Sequence, residues 1–419
     1  MTDDSTRDTA DTADTADSAD AADASPTRQR QRRLAAWNAA ERSLAANLVQ
    51  PMAAQLARLA EQAPAAHDLT AWTDTYGDGA VAALEERTAD LLGKPAALWF
   101  PTGTMAQQVA LRCWAGRTGN PTVALHPMSH PERWERQALT RVSGLRTLHA
   151  GAGPQPVDAA DVRGLDEPFG ALMLELPLRD AGFVLPTWEE LTAVVEAARE
   201  RDAVVHFDGA RLWESTRHLG RSLPEIADLA DSVYVSFYKS LGGLSGAALA
   251  GPRDFVDEAG AWRHRYGGDV FQQWPAALAA LAGLDRELPR LPEYVAHAQV
   301  VAGALEEAFT EAGVPWFRVH PEQPHTHQFQ VWLPFGARDL DEASVRQPEE
   351  TGTLLFRRWE ESGPPGTAMT ECTVDAAGLR WSARDVRDAV HDFLSRLPGG
   401  GRPPHPGRTP HTEQAAPAD

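Results

Sequence analysis

The stretch from 187 to 208 constrains the fold more tightly than any other. Thr187 and Glu190 have the spacing of a helix-opening capping box, and Leu191, Val194, Val195 and Ala198 then recur on one helical face. The apolar run AVVHF (203–207) follows and ends at Asp208. A short, continuous apolar run of this kind reads as a strand buried on both faces, the kind found in parallel sheets covered by helices. The same alternation runs along much of the chain. AALWF (96–100), TVALH (122–126), ALMLEL (171–176) and SVYVSF (232–237) are predicted strands, and PTGTMAQQVALRCW after the first of them reads as a turn and then a helix.

The expected class is therefore α/β: a large, doubly wound domain on a mainly parallel sheet. Near 290 the pattern changes. QFQVWLPF (328–335), TECTV (370–374) and a helical stretch at 382–396 predict a small C-terminal α+β domain. Boundaries are expected at 71–289 for the large domain and 290–397 for the small one, with a helical arm over 34–70 broken at Pro51. Residues 1–33 open with an acidic repeat of small residues (TADTADTADSADAADAS, 9–25) and close on RQRQRR, with few core-forming side chains. Residues 398–419 are rich in proline and glycine. Both ends are expected to be disordered tails, since neither can bury enough apolar surface to offset its chain entropy.

Composition excludes several function classes. A net charge of −20 argues against nucleic-acid and anionic-membrane partners. No apolar run approaches a membrane span, and the acidic start lacks the apolar segment of a secretory signal. Cys113 and Cys372 are the only cysteines, so neither a disulfide framework nor a thiolate zinc site is implied, and the cytoplasm is the expected compartment.

In open α/β sheets, ligands collect at the carboxyl ends of strands. Three chemically distinct groups are predicted there. Thr102-Gly103-Thr104 lies between a strand and a helix start, where free N–H groups and the helix dipole favour a phosphate. Asp208 ends a buried strand and could ligate a metal, hold a ring nitrogen or cap a turn. Lys239, in SFYKSLGGLSGAAL (236–249), could be a solvated charge, a phosphate ligand or a covalent catalyst. An anion cradle, a carboxylate and a lysine together meet the needs of pyridoxal 5'-phosphate (PLP), with His130 in PMSHPERW a candidate to stack on its ring. His206, with His126 or His130, is a weaker hint of a metal site, because no helical HExxH pair accompanies it. His325 and His327 in PHTHQ read as surface residues, and Trp99, Trp213 and Trp381 as core or subunit-interface anchors.

YGDGAVAALEERTADLLGKPAALWFPTGTMAQQVAL, SHPERWE, HFDGARLWES and DSVYVSFYKSLGGLSGAALAG resemble, in order and spacing, the threonine aldolase/β-eliminating lyase family of fold-type-I PLP-dependent enzymes, the PLP-dependent transferase-like fold. The match covers about 70–290 and more weakly the chain to about 396. The resemblance implies that Lys239 carries the cofactor as a Schiff base, Asp208 pairs with the pyridine nitrogen and His130 stacks on the ring. It further implies that Arg211 lies near the phenolic oxygen or the substrate, while Gly103 and Thr104, flanked by Thr102, hold the phosphate. It implies a lyase acting on an amino acid, by retro-aldol cleavage of a β-hydroxy amino acid or by β-elimination, and a homodimer or homotetramer. Aminotransferase, racemase and non-catalytic PLP-binding readings stay open, because the family pattern breaks at three places. No Ser-Asp-Thr segment precedes Tyr76-Gly77. Phe271 stands where a phosphate-contacting arginine is expected. Thr373 takes the place of the arginine that grips the substrate carboxylate, with Arg380 close by but out of register.

Overall fold

The computed structural model describes residues 26–46 and 49–398. Its strands, in chain order, are β1 (Arg42–Ser43), β2 (Ala96–Phe100), β3 (Thr122–Leu125), β4 (Arg146–His149), β5 (Ala171–Glu175), β6 (Val204–Gly209), β7 (Ser232–Ser236), β8 (Ala247–Gly251), β9 (Arg318–His320), β10 (Gln328–Leu333), β11 (Thr353–Leu354), β12 (Glu360–Glu361) and β13 (Ala368–Thr373). The central sheet has the order β2-β8-β7-β6-β5-β3-β4. All of it runs parallel except β8, which pairs antiparallel with both β2 and β7.

Each central strand is apolar on both faces because helices cover both. On one face Leu172, Leu174, Val205, Phe207, Val233 and Val235 pack against the helix Trp188–Arg199 and its neighbours. That helix opens on the expected capping box, with Thr187 Oγ1 accepting from Glu190 N and the Glu190 carboxylate accepting from Thr187 N. On the other face Val123, Leu125, Met173, Tyr234 and Leu249 meet Val109, Ala110 and Cys113 of the helix Gly103–Thr118. Strand alternation therefore turns His206 and Asp208 toward this second helix and away from the side of Val205 and Phe207.

The strand Ala247–Gly251 is not among the strands predicted from sequence. Alanine and glycine are poor strand formers, but every residue of β8 is buried between two partners, and tertiary context overrides the local preference. Beyond the helix Leu291–Glu311, the antiparallel sheet β12-β13-β10-β9 closes over a core that includes Phe309, Phe329, Phe356 and Phe393.

The N-terminal side needs a correction. The helix Pro26–Ala39 includes residues expected in the tail. Arg32 forks onto Glu342 and Glu349, and Arg33 Nη2 lies 3.0 Å from Asp341 Oδ2. These acids come from a helix some three hundred residues away, so composition could not reveal the docking. The acidic repeat at 9–25 and the tail from 399 lie outside the described residues.

Candidate active site

A cavity of about 270 Å³ opens at the carboxyl ends of β6 and β7. Thr102, Gly103, Thr104, His130, Asp208 and Lys239 all line it, together with Gln107, Glu135, Tyr234 and Tyr238. Six of the seven residues singled out from sequence thus share one wall. Arg211 lies just beyond the lining and acts electrostatically on Lys239 and Tyr238.

Thr102 caps the helix Gly103–Thr118, its Oγ1 accepting from Met105 N at 3.3 Å. The N–H groups of Gly103 and Thr104, in the first turn, have no acceptor among the described residues. A side chain at 103 would have to displace the buried Tyr234, because its Cβ would lie 2.1 Å from the tyrosine hydroxyl oxygen. The site therefore presents bare backbone donors at the positive end of a sixteen-residue helix.

Asp208, on the last turn of β6 toward the cavity, is 2 % exposed and accepts one hydrogen bond, from Ala210 N at 3.2 Å. Burial raises its pKa, while Lys239 and His130 oppose the shift. Lys239 Nζ makes no hydrogen bond or ion pair among the described residues and lies 5.7 Å from the Tyr238 ring centre. Its pKa is lowered to about 8, first by burial and next by Arg211. The Arg211 guanidinium rests 5.1 Å over the Phe183 ring, and its buried Nε has no partner.

Three hydrogen bonds tie the Asp208 and Lys239 loops together. Trp213 Nε1 donates to Ser236 O at 2.9 Å, Ser236 Oγ to Ala210 O at 2.7 Å, and Ser240 Oγ to Glu214 Oε1 at 2.8 Å. Gly246 closes the lysine loop at φ +92°, where a Cβ would strike the Trp99 ring at 1.7 Å.

Two buried carboxylates near the cavity were not singled out from sequence. Glu135, its side chain 2 % exposed, meets His130 Nδ1 at 3.2 Å. Burial alone would lower the His130 pKa, but the Glu135 contact and the field of Asp208 outweigh it and the net shift is upward. Glu175 lies beside Asp208 on the adjoining strand and accepts from His130 N at 2.6 Å and Arg179 N at 3.1 Å. Burial, then the neighbouring Asp208 charge, raise its pKa to about 7. The strand-terminal position of Glu175 in ALMLEL was the available signal.

His206 is not exposed to the cavity as a ligand. Its Nδ1 lies 2.7 Å from Ser232 Oγ and its Nε2 2.8 Å from Gln107 Oε1, and burial lowers its pKa to about 3. Trp114 Nε1 also donates to Ser232 Oγ, so the serine proton goes to Nδ1 and the imidazole N–H to Gln107. His327 is likewise no surface residue: it is 2 % exposed and 2.7 Å from Glu214 Oε2. Phe271 is exposed against Tyr76, the Thr373 hydroxyl accepts from Gln328, and Arg380 is exposed. None of the three lines the cavity.

A helix start with free N–H groups, a buried carboxylate and a lysine with an unpaired amine lie together at the carboxyl end of a doubly wound sheet, and the chain has the fold of the fold-type-I PLP-dependent enzymes. Serine palmitoyltransferase from S. paucimobilis, with PLP bound, shares that fold at a TM-score of 0.60 and 18% identity, over 81% of this chain and 83% of that one. Residues 51–327 match the Beta-eliminating lyase family, and the chain belongs to that family. It is 33% identical over 256 residues to the low specificity L-threonine aldolase of Escherichia coli K12, covering 56% of this chain and 72% of that protein. A Listeria monocytogenes structure assigned as an L-allo-threonine aldolase superposes with a TM-score of 0.79 at 33% identity, over 88% of this chain and all (100%) of the other.

Proposed function

We infer that the protein is a PLP-dependent lyase that cleaves a β-hydroxy amino acid between Cα and Cβ. The carrying observation is the unpaired Lys239 amine, held in one cavity with the Asp208 carboxylate and the free N–H groups of Gly103 and Thr104. Those residues fit the cofactor: backbone donors for its phosphate, a carboxylate for its pyridine nitrogen, an amine for its aldehyde. When bound, PLP supplies an electron sink that lets a bond at the amino acid's Cα break.

Every other part of the reaction falls to the chain. With a pKa of about 8, Lys239 has roughly a tenth of its amine uncharged near pH 7, enough to hold the cofactor covalently and later to move a proton. Asp208, buried and without a lysine ion pair, would hold the pyridine nitrogen and keep it protonated. His130 would stack on the ring, and Glu135, 3.2 Å from its Nδ1, leaves Nε2 for a substrate hydroxyl. Arg211 offers an uncommitted guanidinium to the substrate carboxylate or the ring hydroxyl. Arg179 is already engaged, with Glu371 at 2.9 Å.

β-Elimination is the second reading, in keeping with the Beta-eliminating lyase family that residues 51–327 match. The test is the visible spectrum of the purified protein before and after borohydride, beside Lys239→Ala, followed by an amino-acid panel assayed for glycine and aldehyde. A borohydride-sensitive band missing from the variant, with glycine release from threonine or its analogues, is the expected result. A colourless protein that takes up no PLP overturns the reading. Ammonia and a keto acid in place of glycine select β-elimination.

A further inference from the structure

Glu214 and His327 are buried, ionisable and outside the cavity, and the proposed chemistry uses neither. Glu214 is 1 % exposed and His327 2 % exposed. Glu214 ends the short turn Leu212–Glu214 that follows Asp208 and Arg211, whereas His327 precedes β10 of the small domain. His327 Nδ1 lies 2.7 Å from Val374 O, a pure acceptor, so Nδ1 carries a hydrogen. Its Nε2 lies 2.7 Å from Glu214 Oε2, an ion-pair contact rather than an aligned hydrogen bond. A carboxylate at that range outweighs burial and favours the protonated, cationic ring. Val374 N donates back to His327 O at 2.9 Å and fixes the histidine backbone to the end of β13. The other carboxylate oxygen, Oε1, accepts from Ser240 Oγ at 2.8 Å. Ser240 is the residue after Lys239.

We propose that Glu214 and His327 form a buried ionic latch that positions Lys239 through Ser240 and couples the small domain to the lysine loop. The proposal rests on the role given to Lys239 above. A buried pair of this type is a poor source of net stability, because desolvation offsets the attraction, whereas it fixes geometry well. Its position suits that use. One carboxylate oxygen is turned to the small domain and the other to the loop, so a shift of either domain is transmitted to the lysine. The groups around His327 are the Tyr294 ring at 6.0 Å on the helix Leu291–Glu311, Asp375 after β13, and Glu214 itself. All three are neutral or acidic and support the cationic imidazolium.

The test is a double-mutant cycle in the holoenzyme with Ser240→Ala, His327→Gln and the double variant, read by kcat, KM and the pH midpoint of the cofactor's visible band, which reports on Lys239. A latch acting through Ser240 predicts that Ser240→Ala lowers kcat about tenfold, leaves KM within about twofold and moves the band midpoint; His327→Gln on top adds less than about twofold. Additive losses, or a midpoint unmoved in Ser240→Ala, overturn the latch. Ser240→Ala leaves the ion pair intact, so it decides the matter alone if His327→Gln does not fold. A wild type without a borohydride-sensitive band would instead overturn the function proposed for Lys239. In that event reductive methylation of Lys239 against pH, followed by mass spectrometry, reads the same coupling: an unchanged profile in Ser240→Ala overturns the latch and a displaced one supports it.

Discussion

Glu175 and Asp208 sit side by side in direct register across the parallel pair β5–β6, with Asp208 lining the Lys239 cavity and Glu175 just outside its lining. Burial raises the pKa of both; the Asp208 charge adds to the rise at Glu175, and Glu135 adds to the rise at Asp208. Two such neighbours are costly to ionise together, and a nearby cation lowers that cost.

Stability of the cofactor-free protein should fall as pH rises through about 7. Glu175 has a folded pKa raised to about 7, above the unfolded value, so the folded state holds more protons there, and stability present at low pH is lost as the folded carboxyl ionises. Melting temperatures between about pH 5 and pH 8 check this. Glu175→Gln is expected to flatten the decline, and an equally steep fall in that variant would assign the effect elsewhere.

Asp208→Asn should leave the fold intact and reduce turnover by about a hundredfold or more, since an amide cannot hold the pyridine nitrogen protonated. Circular dichroism and steady-state rates on a confirmed substrate measure the two. Near-wild-type rates would remove Asp208 from the chemistry.

Glu135→Gln should lower the His130 pKa, because burial, unopposed by the carboxylate, pushes an imidazole down. NMR titration of His130 reads this directly, and the arm of the pH–rate profile governed by His130 should move the same way. An unmoved titration would leave Asp208 as the sole source of the upward shift.

Gln107→Leu should cost about 1–3 kcal/mol, because it strips the buried His206 Nε2–H of its acceptor. Denaturant titration gives the value. A cost near zero would mean that His206 had turned to another partner.

Gly246→Ala should fail to accumulate as folded protein. Its Cβ would enter the Trp99 ring from a backbone conformation that disfavours side chains. Soluble yield and near-ultraviolet circular dichroism report the result, and a well-folded variant would show that Trp99 can give way.

The sequence by itself determined the layered α/β plan and the strand ends that carry Asp208 and Lys239. Periodicity and buried apolar runs are local properties, and a ligand site at strand ends follows from the layer plan. The strand at 96–100 and the capping box at Thr187 were legible to the residue. Only the tertiary structure decided the rest, because the partners lie far apart in sequence. β8 is a strand because its neighbours bury it, and Arg32 belongs to a docked helix because Glu342 and Glu349 meet it. His206 became a hydrogen-bonded core residue through Ser232 and Gln107, and His327 was taken out of solvent by Glu214 and Val374. The charge state and exposure of a histidine or a carboxylate are set by what folds against it, and spacing along a chain carries no record of that.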